Sequence, residues 1–434
     1  MIRLPLIALA LMALGQMPAA AQSLYGCSGI ETRMNQPSIE GLDGVFYRIN
    51  PDLHDFAAFS DETVTQVAAL STALSALGTT LIYAPLPTKS LAMPEHLPPE
   101  AADYGYDAIL AATGYGKIVE RLTKAGTLAV DIRAAMHVAP AEPLSFYQTD
   151  HRMTAAGAKR AAKAIADAIA KTPDFTKLPK GRFDTRPAGA ATLPSPLHDA
   201  LQQRCLTPLP PVQADSFQTS RASASSNASA NTIFAAGGTA PRIALVGTEY
   251  SGEVTANFAG FLAEFTGLDV VQYAVPDGGS YAAISSYLTS QAFQDARPTY
   301  LVWANPVFEN LAQYGDQPMA ELIAAAGGNC RIQLALLASP QANAVVADLS
   351  VLDRGQAYTL FLDTGGAQGF QAQFSFQNGS GLIRTKTIVR NPGQIATGRF
   401  YMPTSGLWPD GALSVEIALD VPMGANPRVS ACFQ

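Results

Sequence analysis

Charged residues are scarce in this chain: Asp, Glu, Lys and Arg together make up 15% of it, and nowhere do Lys and Arg gather into a cluster. With a formal net charge of −7, this excludes nucleic acid or an anionic membrane surface as the main partner, while leaving room for an anionic polymer in a local basic groove. Beyond the N-terminus no apolar run reaches the ~20 residues that span a bilayer. Metal-ligand spacing is missing as well. His54, His96, His137 and His198 show no ligand pattern and the four cysteines no C-x-x-C, so neither a metal nor a cofactor is expected. What the chain has is 48% hydrophobic residues, enough for a substantial core.

The first residues carry one positive charge at Arg3, an apolar run from Leu4 to Leu14 and the small residues Ala19-Ala20-Ala21. That is the pattern of a secretory signal peptide, residues 1–21, with Gln22 as the new N-terminus of an exported chain. Roughly 410 residues then remain, room for two or three domains at ~100–200 residues each. Cys27, Cys205, Cys330 and Cys432 are an even number in an exported chain, which favours disulfides. Three pairings are possible, and the nested positions suggest Cys27 with Cys205 and Cys330 with Cys432.

From Ile30 to Asp174 helical and strand patterns alternate, the rhythm of an α/β domain. Ser60 is placed to cap a helix with Val67, Leu70, Leu74 and Leu77 at helical spacing; Gly78 stops it before a strand from Thr80 to Ala84. Helix 115–125, strand Leu128 to Val130 and an Ala-rich helix from Thr154 to about Lys171 follow. Residues 214–232 are rich in Ser, Ala and Asn, and read as a mobile insertion with almost nothing to bury. Strands at 242–246, 270–273 and 300–303, with helices between, resume the pattern, so 22–329 reads as one interrupted α/β domain. Short β-rich runs divided by Gly, Pro and Asn then fill 330–434, as in a small β-sandwich. Trp408 and Tyr401 stand there as candidate sugar-stacking aromatics.

Two blocks carry the chemistry. Gly247-Thr248-Glu249-Tyr250-Ser251 follows an apolar strand, and Thr149-Asp150-His151-Arg152-Met153-Thr154 leads to Gly157-Ala158 at the start of a helix. They resemble the signature blocks of the alginate O-acetyltransferase family AlgX/AlgJ, periplasmic relatives of the SGNH hydrolases, which typically read G-T-S-Y-S and D-x-H-W-T-x-x-G-A. Pro85-Leu86-Pro87-Thr88-Lys89, Pro94-Glu95-His96-Leu97-Pro98 and Gly278-Gly279 are similar to further family segments. The resemblance implies a three-layer SGNH-like α/β domain with a parallel sheet, followed by a carbohydrate-binding-module-like sandwich. It also implies O-acetylation and export of a hydroxyl-rich or anionic exopolysaccharide, with a membrane-bound O-acyltransferase and a periplasmic export complex as partners.

The departures from that family are chemical. Glu249 falls where the nucleophilic serine belongs and Arg152 where the histidine belongs, with His151 one residue early; Trp303-Ala304-Asn305-Pro306-Val307-Phe308 lacks both glutamates of the family's W-E-x-P-E-R. Acyl transfer needs a hydroxyl within reach of an imidazole oriented by a carboxylate. A carboxylate is a poor acyl acceptor, and a guanidinium stays protonated and cannot act as a base. Two expectations follow. Either Glu249 and Arg152 form a charge pair in place of the dyad, giving a silent polysaccharide-binding scaffold, or Asp150, His151 and Ser251 shift into the catalytic roles. Lys89, Gly278, Gly279 and Trp408 are the candidate substrate-binding residues.

Overall fold

The computed structural model describes residues 23–55, 57–139, 141–222, 242–327, 330–390 and 393–433. The signal-peptide pattern at 1–21 and the later part of the Ser/Ala/Asn tract lie outside them. Among the described residues no helix is long and apolar enough to cross a membrane.

A five-stranded parallel sheet organises the first part of the chain. Its strands are β1 (Thr80–Leu86), β2 (Leu128–Ala129), β3 (Ile243–Gly247), β4 (Val270–Ala274) and β5 (Tyr300–Pro306), in the order β2-β1-β5-β3-β4. β3 and β5 are buried along their whole length and β1 nearly so. Burial on both faces is what a parallel sheet covered by helices requires, and it explains why these strands read as continuous apolar runs. The covering helices are α1 (Asp61–Ser75), α2 (Ala108–Lys124), α3 (Ala155–Ala170), α4 (Phe258–Thr266), α5 (Gly279–Leu288) and α6 (Gln317–Gly327). α1 buries Val64, Val67, Leu70 and Leu74 on one stripe. The Ser60 hydroxyl accepts from the Thr63 amide as its N-cap, and the helix ends before the left-handed Gly78, leaving Leu77 exposed.

Two short strands, Ser38–Glu40 and Phe46–Arg48, pair ahead of this sheet. The tract expected to be a loop from 214 is a strand over its first part. Gln213–Arg221 pairs antiparallel with Phe183–Thr192 as a two-stranded ribbon, and Phe217 packs on Phe261 of α4. Alternation is weak in both strands, with Ala, Gly, Ser and Thr at most positions, so period-2 reading had little to register; Phe217 is the anchor.

Beyond α6 lie two antiparallel sheets. One runs Ile332–Gln333, Arg428–Phe433, Tyr358–Asp363, Arg399–Pro403; the other Leu336–Ala338, Ala344–Asp348, Ser414–Leu419, Gln371–Gln377, Ile383–Val389. Between them Leu360, Phe374, Phe376, Phe400, Val415 and Ile417 form a core of their own. Disulfides join Cys27 to Cys205 and Cys330 to Cys432. The second bridge ties the segment after α6 to the last strand. Tyr401 is buried and stacked on Phe361, so it presents no face to a sugar.

Candidate functional site

The loops leaving the carboxyl ends of β3, β4 and β5 converge, which is where open α/β sheets place ligands. A cleft of about 420 Å³ lies there, bordered by Arg48, Glu249, Asp277, Gly278, Gly279 and Glu309, among others. After β3 the chain turns sharply into a single helical turn, Glu249–Gly252, capped by Thr248. Gly247 is required at this turn: a Cβ there would lie 2.3 Å from the Ser251 Oγ. The turn aims Glu249 at the cleft, where its carboxylate accepts the Asp277 amide at 3.1 Å. Ser251 faces the other way. It is 1% exposed and its hydroxyl donates to the Thr248 carbonyl at 3.1 Å, so it lies buried within the turn that Thr248 caps, turned toward the sheet.

The second block arrives from the loop before α3. Thr154 caps that helix, and Gly157 lets it press on the preceding loop, since a Cβ there would stand 2.1 Å from the Ser145 carbonyl oxygen. Asp150, 1% exposed, accepts from the Arg152 amide at 2.7 Å and from its guanidinium at 3.0 and 2.9 Å. Burial alone would raise the Asp150 carboxyl, but the Arg152 hydrogen bonds outweigh it and hold it down to about 2. Arg152 directs two further N–H groups to Glu253 at 2.9 Å and to the Pro194 carbonyl at 2.8 Å. The expected pair between Arg152 and Glu249 is therefore not formed. The two blocks do meet, through Glu253 one helical turn later, because the turn at Gly247 swings Glu249 to the far side toward Asp277.

His151 lies against the Tyr250 ring, 5.6 Å between centroids, with its Nδ1 3.8 Å from Asp150 and without a hydrogen-bond partner. Burial, reinforced by the positive Arg48, pushes it down to about 4, so it is neutral at pH 7. The unfolded chain binds a proton that the folded chain refuses between pH 6.5 and 4. Stability must then fall as pH falls through that window, by up to about 1.4 kcal/mol per pH unit. Urea unfolding of His151→Phe between pH 4 and 7 should show a flatter profile than wild type; identical slopes would refute this origin.

Sequence reading missed Arg48, Tyr250, Glu253 and Glu309. Arg48 forms an ion pair with Asp52 at 3.2 Å and donates to the Tyr250 hydroxyl at 2.8 Å. Glu309 is raised by burial and by the neighbouring Glu249. Their signal was positional, since Tyr250 and Glu253 follow the nucleophile-like turn and Glu309 the end of β5. Arg48 and Asp52 offered none. Lys89, expected to face a groove or solvent, does neither. It is 2% exposed, and its ammonium donates to the carbonyls of Phe46, Gln148 and Asp150 at 2.7, 2.8 and 3.1 Å. Among the described residues no group of three or more His, Cys, Asp or Glu could hold a metal ion.

A parallel sheet of this order with a strand–glycine–turn at the nucleophile position and an Asp-His loop opposite defines an SGNH-hydrolase-like protein. The family model described as SGNH hydrolase-like domain, acetyltransferase AlgX matches residues 39–307, and the chain belongs to that family. It is 32% identical over 275 residues to the alginate biosynthesis protein AlgX of Pseudomonas aeruginosa, covering 63% of this chain and 56% of that protein. It is 27% identical over 283 residues to the probable alginate O-acetylase AlgJ of Pseudomonas syringae, covering 60% of this chain and 66% of that protein. The match thus spans little more than half of the AlgX sequence. The solved structure of Pseudomonas aeruginosa AlgX superposes with a TM-score of 0.75 at 26% identity, covering 92% of this chain and 95% of that one. The O-acetyltransferase domain of Pseudomonas putida AlgJ shares the fold, with a TM-score of 0.53 at 23% identity over 66% of this chain and 98% of that one.

Proposed function

We propose that this chain binds an alginate-like polysaccharide in the periplasm, as part of its O-acetylation and export, and does so without forming an acyl-serine. The observation that carries the reading is the orientation of the turn after β3. The residue facing the cleft is a carboxylate, and the nearby serine is buried against the strand it follows. No hydrogen bond joins a serine hydroxyl to His151 among the described residues, so the nucleophile–base contact of acyl transfer is missing. At the end of the C-terminal sheets the Arg384 guanidinium sits 4.9 Å from the Trp408 ring, beside a hollow of about 340 Å³ bordered by Arg354 and Trp408. An aromatic ring with arginines nearby suits an anionic sugar chain, and carbohydrate binding by this sandwich is proposed on that ground. The family resemblance supplies the partners proposed with it, a membrane-bound O-acyltransferase and an export assembly.

One observation favours a second reading, acetyl transfer by a rearranged site: His151 is neutral at pH 7 and borders an ionised Asp150. Hydrolysis of p-nitrophenyl acetate separates the two. Wild type, Ser251→Ala and His151→Ala should all match the buffer rate, while alginate binding followed by fluorescence should weaken in Trp408→Ala and at high salt. Turnover in wild type that disappears in His151→Ala would overturn the silent-site reading and establish the second.

A further inference from the structure

Among the described residues that border the cleft at the carboxyl ends of the strands, the charged ones are Glu249, Asp277, Glu309 and Arg48. Two of the carboxylates meet at one turn. Glu249 Oε2 accepts the Asp277 amide at 3.1 Å, and Glu309, arriving from the end of β5, brings its Oε2 to 3.7 Å from where a Cβ on Gly279 would stand. None of the three acids forms an ion pair among the described residues. Arg48 does not offset them, because its charge is balanced by the buried Asp52 at 3.2 Å and it donates to the Tyr250 hydroxyl at 2.8 Å. The crowding shows in Glu309, whose carboxyl is raised first by burial and then by the like charge of Glu249.

Such a cleft turns a uronate away, since the sugar's carboxylate would sit among others with no free cation to meet it, and juxtaposed like charges are a strong bar to a wrong partner. It favours a positive group. The acids are not gathered for a metal, because among the described residues no set of three or more His, Cys, Asp or Glu could hold one. An ammonium fits them, being a compact charge with three N–H donors that separate carboxylates can share. Tyr314, 49% exposed, and Phe308 border the same cleft and offer aromatic faces on which a pyranose can lie.

We propose that this cleft seats a sugar unit bearing a protonated amine, a hexosamine, and not a uronate. The proposal rests on the polysaccharide-binding reading above and deepens it: anionic units of the polymer are left to the arginines near Trp408, and an amino sugar takes the cleft. The probes are tetramers of β-1,4-linked glucosamine and of its uncharged N-acetylated counterpart, an octamer of β-1,4-linked mannuronate, and trilysine. Each is titrated calorimetrically into the full chain in slightly acid buffer, so that the sugar amines are protonated. The glucosamine tetramer should bind about tenfold more tightly than the acetylated one, and Glu249→Gln and Glu309→Gln should each weaken it about tenfold, the loss of one hydrogen bond to a charged group. Both substitutions keep the side-chain shape, and at 249 an oxygen remains for the Asp277 amide. Glu62→Gln removes an exposed acid of α1 and should change nothing, which separates the cleft from the net charge of −7. Equal weakening by all three variants would overturn the amino-sugar assignment, as would trilysine binding as tightly and losing as much in the two cleft variants. Binding of mannuronate without binding of glucosamine would overturn it too and leave the broader reading standing. No binding of any sugar would overturn both.

Discussion

Lys89→Met will unfold at a temperature lower by about 5 °C or more. The substitution keeps the aliphatic volume but withdraws the donor that holds the carbonyls of Phe46, Gln148 and Asp150. Buried acceptors left unmatched cost about 1–3 kcal/mol each. Removing a buried ammonium returns part of that, so a net loss of about 2–4 kcal/mol is expected. The pH dependence identifies the cause. Burial pushes Lys89 down to about 7 from 10.5, against the pull of Asp52 and Asp150. Between those pH values the unfolded chain holds a proton that the folded chain has released, so the contribution of this site to stability rises with pH. Lys89→Met should remove that rise. A variant as stable as wild type, or one with the same pH slope, would show that the three carbonyls do not depend on the lysine.

Arg390→Met should be the other severe change. Glu321 and Arg390, both buried, join α6 to the C-terminal sheets, and the Glu321 carboxylate also accepts the Tyr401 amide at 3.3 Å. Taking away one member strands a buried charge, typically at about 3–5 kcal/mol. Adding Glu321→Gln to Arg390→Met removes the stranded charge and keeps an oxygen for Tyr401, so the double variant should recover more than half of the loss. Denaturant unfolding of wild type, single and double variants measures this directly. Equal losses in the single and double variants would mean that the pair's geometry, and not an uncompensated charge, sets the cost.

The parallel sheet was legible because strands buried on both faces leave unbroken apolar runs, and because Ser60, Gly78 and Thr154 punctuate the helices by local chemistry. The ribbon at 183–192 and 213–221 was not, since small polar residues carry little periodic signal. The two blocks announced the candidate site. Which side chains would touch could not be read from them, because the direction of the tight turn after Gly247 decides whether Glu249 or Glu253, one helical turn later, becomes the partner of Arg152. Arg48 and Lys89 show the same limit from another side. Their surroundings are assembled from segments far apart in the chain, and a buried cation looks in sequence like any other.

The loop bearing Asp150 is fastened entirely by the protein itself: by the Lys89 clamp, by the Thr154 hydroxyl on the Leu144 carbonyl at 2.6 Å, and by the close seat of Gly157 on Ser145. Under the proposed polymer-binding function, a sugar chain reaching this preorganised loop would surrender only its own freedom, which tightens each contact it makes.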